Sequence, residues 1–114
     1  MFPRKIKIMG EKWRITIKER EEDPVLDCAN GYCRPTSRDI VICDLRDDDE
    51  YGDPIGMMKH ALKHELVHSL MFESGIGFCS HDAECWGTDE EIVDWIAKNS
   101  MKLFKLFRRC GLLC

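Results

Sequence analysis

The sequence contains no apolar run long enough to cross a bilayer, which takes about 20 consecutive residues in a helix. Near the N-terminus, residues 1–5 lead into alternating isoleucine and lysine, not into the apolar core of a secretory signal. There are seven cysteines, and no two of them have CxxC spacing. We therefore expect a cytoplasmic protein with reduced thiols and no membrane contact.

An excess of positive charge is also missing. The chain has 17 basic and 21 acidic side chains, for a formal charge of -4, whereas a nucleic-acid partner requires concentrated lysine and arginine. The acidic segment 47–50 lacks the spacing and the glycine of a calcium-binding EF-hand loop. A length of 114 residues and a hydrophobic fraction of 44% predict one globular domain over residues 1–114, without a nucleic-acid partner.

The first half of the chain shows the alternation of β-strands. Polar and apolar residues alternate over residues 5–9 and 13–18, and residues 9–12 between them predict a hairpin connection. Two shorter strands are predicted over residues 32–34 and 39–44. We expect these segments to form a small antiparallel sheet of three or four strands, as in an α+β fold.

The second half changes to the period of an α-helix. Asp53 is a plausible N-cap and Pro54 suits a first helical turn, while Gly75 is typical of a helix end, which predicts a helix over residues 54–73. A second, long helix is predicted over residues 88–109. Its first four residues have the form of a capping box, with Thr88 as the cap and Glu91 reaching back to it.

The first of these helices carries the motif His-Glu-Leu-Val-His. Because His64 and His68 lie four residues apart, their imidazoles project from one helix face and can bind one metal ion. Glu65 lies about 100° around the helix, beside such an ion without ligating it. A zinc ion lowers the pKa of a bound water, whose proton Glu65 would accept during attack on a peptide carbonyl. The alternative is that these are ordinary helix histidines. We interpret His60, one turn earlier, as a surface histidine. An apolar stripe is expected on the opposite side of the helix, formed by Leu62, Leu66 and Leu70.

A catalytic zinc site takes three protein ligands and leaves a fourth position for water. Ser74 stands where a metzincin would have its third histidine. In the last helix, Glu90 and Asp94 share one face, so Glu90 could ligate while Asp94 accepts a hydrogen bond from a ligand histidine. Glu91 competes as the third ligand, although the capping box favours Glu90. His81 is a further candidate, as a ligand or as a group that contacts substrate and stabilises an oxyanion.

The motif followed by residues 72–75, and then the segment Asp-Glu-Glu-Ile-Val-Asp-Trp-Ile-Ala at residues 89–97, resembles small zincin proteins encoded by phages and prophages. The HExxH plus ExxxD arrangement is similar to that of the gluzincins. It also resembles the catalytic domain of repressor-cleaving metallopeptidases of mobile elements. The resemblance implies a minimal zincin-like domain with one zinc ion on His64, His68 and Glu90. It further implies Glu65 as general base and Asp94 as the partner of a ligand histidine.

The leading functional hypothesis is a zinc metalloendopeptidase that acts on a specific protein partner, because so small a domain has little surface for general substrates. In zincins an edge strand pairs with the extended peptide, and residues 38–44 are the candidate, with a plain core strand as the alternative. A second hypothesis is a catalytically silent zinc-binding interaction protein of phage or prophage origin. A third, membrane association through residues 102–114, is disfavoured because their apolar side chains are needed to cover the sheet and the metal helix.

Overall fold

The structure is a computed structural model that describes residues 2–48, 50–75 and 89–113. Within these residues, four strands precede two long helices, and two short 3₁₀ turns lie between the second and third strands. The α+β class, with a small sheet followed by two helices, is therefore confirmed. The elements are β1 (Lys5–Ile8), β2 (Glu11–Lys18), β3 (Gly31–Arg34), β4 (Asp39–Cys43), α1 (Pro54–Glu73) and α2 (Glu90–Arg109).

The sheet has the strand order β1-β2-β4-β3 and is mixed. A tight turn joins β1 to β2, with Met9 and Gly10 both in the left-handed region at φ 50° and 84°. The pairs β1–β2 and β3–β4 are antiparallel, whereas β2 and β4 are parallel, with Ile15 opposite Ile40. We expected an antiparallel sheet from the sequence. The parallel pairing of β2 with β4 departs from that expectation.

Strand β4 lies in the interior of the sheet, between β2 and β3. Its residues Ile40, Val41 and Ile42 are all buried, although neighbouring side chains point to opposite faces. Such a continuous apolar run is typical of a strand that is covered on both faces. The prediction of residues 38–44 as the edge strand beside the cleft is therefore wrong, and the alternative of a core strand is confirmed. The strand at that edge of the described sheet is β3.

Helix α1 has the predicted bounds and packs across one face of the sheet. The Asp53 carboxylate accepts a hydrogen bond from the Gly56 N–H, and the chain leaves the helix at Gly75, whose φ is +96°. At the far end, Trp13 Nε1 donates to Glu73 Oε1 over 2.9 Å, which ties α1 to β2. The buried side of α1 includes Met58, Leu62, Glu65 and Ser69.

The apolar stripe predicted for α1 is only partly confirmed. Leu62 is buried and Leu66 partly buried, but Leu70 is 51% exposed. The reason is that the face turned toward the sheet continues through Glu65 and Ser69, which follow Leu62 at helical spacing. Glu65 and Ser69 thus lie on the buried face of α1, and Leu70 does not.

Helix α2 begins at Glu90, two residues after the predicted start. Its N-cap is Asp89, whose carboxylate accepts hydrogen bonds from the Glu91 and Ile92 N–H groups. The prediction of Thr88 as the cap is therefore wrong, and Thr88 itself lies outside the described residues. Neither described helix combines the length and the apolar character needed to span a bilayer.

Candidate metal centre

His64 and His68 lie in the middle of α1, one turn apart, on the side that faces the start of α2. Their ring centroids are 4.9 Å apart and the rings are inclined at 67°. Only 16% of the His64 side chain and 12% of the His68 side chain are exposed. Both imidazoles are therefore largely shielded from solvent, which suits a preformed site.

Glu90, the first residue of α2, completes a group of three. Its Oε2 lies 2.6 Å from His64 Nε2, and its Oε1 lies 3.1 Å from His68 Nε2. One ligand atom from each of the three residues falls within 4.8 Å of the others, so the group can hold a metal ion. The structure thus brings together the three residues that the sequence analysis proposed as ligands.

Asp94 lies one turn after Glu90 and contacts both helices. Its Oδ1 is 3.4 Å from His64 Nδ1 and 2.8 Å from His60 Nε2, and its Oδ2 is 3.0 Å from Lys98 Nζ. The hydrogen bond from Lys98, with smaller contributions from His60 and His64, lowers the pKa of Asp94 to about 2. An ionised carboxylate therefore faces Nδ1 of His64 and leaves Nε2 turned toward Glu90.

His60 was interpreted from the sequence as a surface histidine, and its contact with Asp94 was missed. The side chain is 35% exposed and hydrogen-bonded to that carboxylate. The sequence did contain a signal for this contact. His60 and His64 lie four apart on α1, and Glu90 and Asp94 lie four apart on α2, so two packed antiparallel helices bring the pairs into register.

Glu65 lies beside this group but belongs to the buried face of α1. The residue is 7% exposed, and burial raises the pKa of its carboxyl, while His64 and His68 act in the opposite direction. Gly31 of β3 makes the close approach possible. A Cβ at this position would lie 3.1 Å from the Val41 carbonyl oxygen and 3.6 Å from Glu65 Cγ. The absence of a side chain at Gly31 thus lets β3 run directly past the glutamate.

An open cleft of about 540 Å³ runs between β3 and α1 and ends at the candidate ligands. Glu65, His68 and Glu90 line it on one side, and most of its remaining lining is apolar, including Tyr32 and Phe72. A smaller cleft of about 250 Å³ reaches the same group from the other side, past His60 and Met57. The candidate metal centre therefore lies where two clefts meet. Such a position suits a substrate that extends in both directions.

Cys33 and Tyr32 of β3 border the larger cleft as neutral groups. Burial, with a smaller effect of the Glu65 carboxylate, raises the pKa of the Cys33 thiol to about 12. Burial and a hydrogen bond to Asp23 also raise the pKa of Tyr32, whose hydroxyl donates to that carboxylate. Cys33 lines the wall of the cleft and is not among the three residues whose ligand atoms converge. Cys28, Cys33, Cys43 and Cys110 are free thiols.

Two further predicted site residues are not part of the group. Glu91 is exposed, and its backbone N–H donates to Asp89; its side chain is not among the three that converge. Glu90, and not Glu91, is the residue that converges with the two histidines, although the preference for Glu90 rested on Thr88 as the cap, a position that Asp89 holds. His81, like the loop residues 77–87 in general, lies outside the described residues.

Comparison with known proteins does not supply a relative. No protein-family model matches the chain, and no curated protein or solved structure matches it significantly. The resemblance to phage zincins and gluzincins therefore stays a prediction.

Proposed function

We propose that the chain is a zinc-dependent metalloendopeptidase that cleaves a specific protein partner. The observation that supports this is the meeting of two imidazoles and one carboxylate from separate helices within 4.8 Å, next to a buried glutamate. Two histidines with one glutamate are the donor set of a hydrolytic zinc site with an open fourth position. Calcium and magnesium prefer oxygen ligands throughout, so the imidazole pair favours zinc.

The surroundings of the three residues fit such an ion. His64 Nε2, His68 Nε2 and a carboxylate oxygen of Glu90 are the atoms that would hold it. Asp94 facing His64 Nδ1 is the partner that ligand histidines usually have, because it fixes the tautomer with Nε2 available for the metal. Glu90 has an exposed side chain, and this leaves the open position accessible from the cleft.

Glu65 is the general base in this proposal. When bound, zinc lowers the pKa of water and polarises a peptide carbonyl. Glu65 accepts a proton from the attacking water and then donates it to the amide nitrogen as the peptide bond breaks. The burial that raises the pKa of Glu65 makes its carboxylate a stronger proton acceptor, which favours the first of these steps.

The edge of β3 is the proposed place for the substrate backbone. Within the described residues, β3 pairs only with β4, so its other edge is free to form main-chain hydrogen bonds with an extended peptide. The cleft of about 540 Å³ lies along this edge, and Phe72 and Tyr32 can pack against an apolar side chain of the substrate. This strand edge replaces the candidate segment 38–44, which contains the buried strand β4.

The first experiment measures zinc in the purified protein by mass spectrometry. We expect one zinc per chain, which is lost in His68→Ala and in Glu90→Gln. The matched control is Glu91→Gln, which removes the neighbouring carboxylate and should retain the zinc. Retention of zinc in Glu90→Gln together with its loss in Glu91→Gln would assign the third ligand to Glu91. A wild-type protein without stoichiometric metal would refute the proposal.

The second experiment tests turnover. The zinc-loaded protein is incubated with a library of peptides from a bacterial proteome, and new termini are identified by mass spectrometry. Glu65→Gln should retain its zinc and cleave about 10²–10⁴ times more slowly, the usual contribution of a general base. If zinc binds but neither the library nor intact host proteins are cleaved, the alternative of a catalytically silent zinc-binding protein is supported instead.

A further inference from the structure

One face of α2 changes from buried to exposed along the helix. Val93 and Ala97 are 0% and 6% exposed, whereas Phe104 and Phe107 on the same face are 44% and 43% exposed. These four, with Ser100 between them, follow at intervals of four, three, four and three residues, which keeps them on one side of a helix. The face that packs on α1 at the start of α2 is therefore uncovered in its second half.

The cause is the offset between the two helices. Glu90 contacts His64 and His68, whereas Asp94 contacts His60, so α2 runs antiparallel to α1 and toward its first residue, Pro54. From His60 back to Pro54 is about 9 Å at 1.5 Å per residue, a length that takes α2 from Asp94 only to about residue 100. The rest of α2 extends about 14 Å past the start of α1. We call residues 100–113 the α2 overhang.

The α2 overhang does not contribute to the core. All of its residues are exposed, so they do not cover the sheet or the metal helix. Membrane association was disfavoured from the sequence because these apolar side chains were expected to cover the sheet and the metal helix. Their exposure removes that reason. The large apolar side chains that are exposed here are Met101, Leu103, Phe104, Leu106, Phe107, Leu112 and Leu113.

From residue 98 onward, the opposite side of the same helix carries only positive charge. Lys98, Lys102, Lys105 and Arg109 follow each other at intervals of four, three and four residues, about 140° around the helix from the apolar face. All 21 acidic residues of the chain lie at or before Asp94. The net charge of -4 therefore combines a strongly acidic body with a purely basic C-terminal segment.

We propose that the α2 overhang binds the surface of a bilayer that contains anionic lipids. Phe104 and Phe107 lie among the upper acyl chains, and the lysine and arginine side chains contact lipid phosphates. An apolar face rich in phenylalanine and leucine, opposite a purely cationic face, is typical of helices that lie in the membrane interface. A second copy of the chain would also cover the apolar face. However, such a pair would turn the cations outward and leave them without an anionic partner, whereas an anionic bilayer contacts both the apolar and the basic side chains, so the charge favours anionic lipid.

The test is co-sedimentation of the full chain with vesicles. Vesicles of phosphatidylglycerol and phosphatidylcholine in equal parts are compared with vesicles of phosphatidylcholine alone. Wild type should bind the anionic vesicles at least about tenfold more strongly, because each basic residue near an anionic surface adds roughly a fivefold preference. High salt should reduce this binding. The double variant Phe104→Ser/Phe107→Ser should lose at least about tenfold in affinity.

The matched control is Leu70→Ser, which removes an exposed leucine from α1 outside the α2 overhang and should bind vesicles like wild type. Far-ultraviolet circular dichroism of every variant reports whether the fold is retained. His68→Ala should bind vesicles normally, so failure of the metal proposal and failure of this one are distinguishable. Equal binding to both kinds of vesicle, or none to the anionic ones, would overturn the proposal. A solution dimer that dissociates in the phenylalanine variant, without vesicle binding, would assign the face to a second copy.

Discussion

The Asp94 carboxylate contacts His60, His64 and Lys98 at once, and its contact with His64 carries the first prediction. Removing the charge in Asp94→Asn weakens the orientation of His64, and zinc affinity should fall about 10–100-fold, as is usual when the partner of a ligand histidine is changed. Competition with a chromophoric chelator measures the affinity. Lys98→Gln is the control, because it removes another partner of Asp94 and leaves the contact with His64.

The lowered pKa of Asp94 also predicts how the stability of the zinc-free protein changes with acid. Because its pKa is lowered from 3.8 to about 2, the ionised carboxylate contributes stability that is present above its unfolded pKa and is lost as the pH falls through the folded one. The difference in free energy of unfolding between wild type and Asp94→Asn should therefore be constant near neutral pH and shrink between about pH 4 and about pH 2. Urea unfolding at several pH values measures it, and a difference that grows over this range would contradict the assignment.

Single residues also show what the sequence can and cannot predict about the site. The convergence of His64 and His68 follows from their spacing on one helix, which is a local property. The approach of Glu90 required a contact between distant helices and was inferred only from residue type and spacing. Burial of Glu65 was not predicted, because it depends on Gly31 bringing β3 against the helix, and nothing local to α1 encodes that.

At the scale of elements, the close passage of β3 over α1 can be tested at Gly31. A methyl group there would lie 3.0 Å from Ile42 Cδ1 and 3.1 Å from the Val41 carbonyl oxygen, and the backbone atom cannot easily move. Gly31→Ala should therefore cost about 1–3 kcal/mol, the usual effect of overpacking, and should also displace Glu65 and lower turnover. The free energy of unfolding from urea titration checks the first effect.

Gly52→Ala is the control for this change, since a Cβ at Gly52 meets no atom within 4 Å. Its effect on the free energy of unfolding should stay within about 0.5 kcal/mol, as for most exposed substitutions. If both alanine variants were equally stable, β3 would not lie as close to Glu65 as the structure has it.

The elements themselves were predicted unequally well. The bounds of α1 follow from Asp53, Pro54 and Gly75. These residues act on neighbouring backbone groups, so their effect can be predicted from the sequence. The insertion of β4 between β2 and β3 was not predicted, because strand pairing joins residues far apart in the chain and alternation alone does not specify it. The run Ile-Val-Ile at residues 40–42 did indicate an interior strand, since apolar and polar residues would alternate in a strand with one exposed face.

At the scale of the whole molecule, α2 is held by little apolar contact. Val93 and Ala97 are its only buried residues among those described, and the α2 overhang adds none. Its position depends instead on polar contacts with α1, from Glu90 to His64 and His68 and from Asp94 to His60. Such contacts are worth little when solvent-exposed, so α2 should be the less stable of the two helices.

This arrangement predicts that metal binding stabilises the whole chain. A zinc ion held by His64, His68 and Glu90 would link α1 to α2 in the folded state, and the unfolded chain does not preserve that site. At a free zinc concentration about 100 times the dissociation constant, the free energy of unfolding should rise by about 2.7 kcal/mol. For a domain of this size that corresponds to a rise in Tm of about 10 °C.

Scanning calorimetry with and without a chelator measures the shift in Tm, and hydrogen exchange shows where it acts. We expect the gain in protection to be largest in the first half of α2, because Glu90 is the ligand that this weakly packed helix contributes. The control is Glu90→Gln, which leaves the HExxH pair on α1 intact. If zinc raised its Tm as much as that of wild type, the ion would be bound by α1 alone. The closure of the site by α2, on which the proposed peptidase depends, would then be wrong.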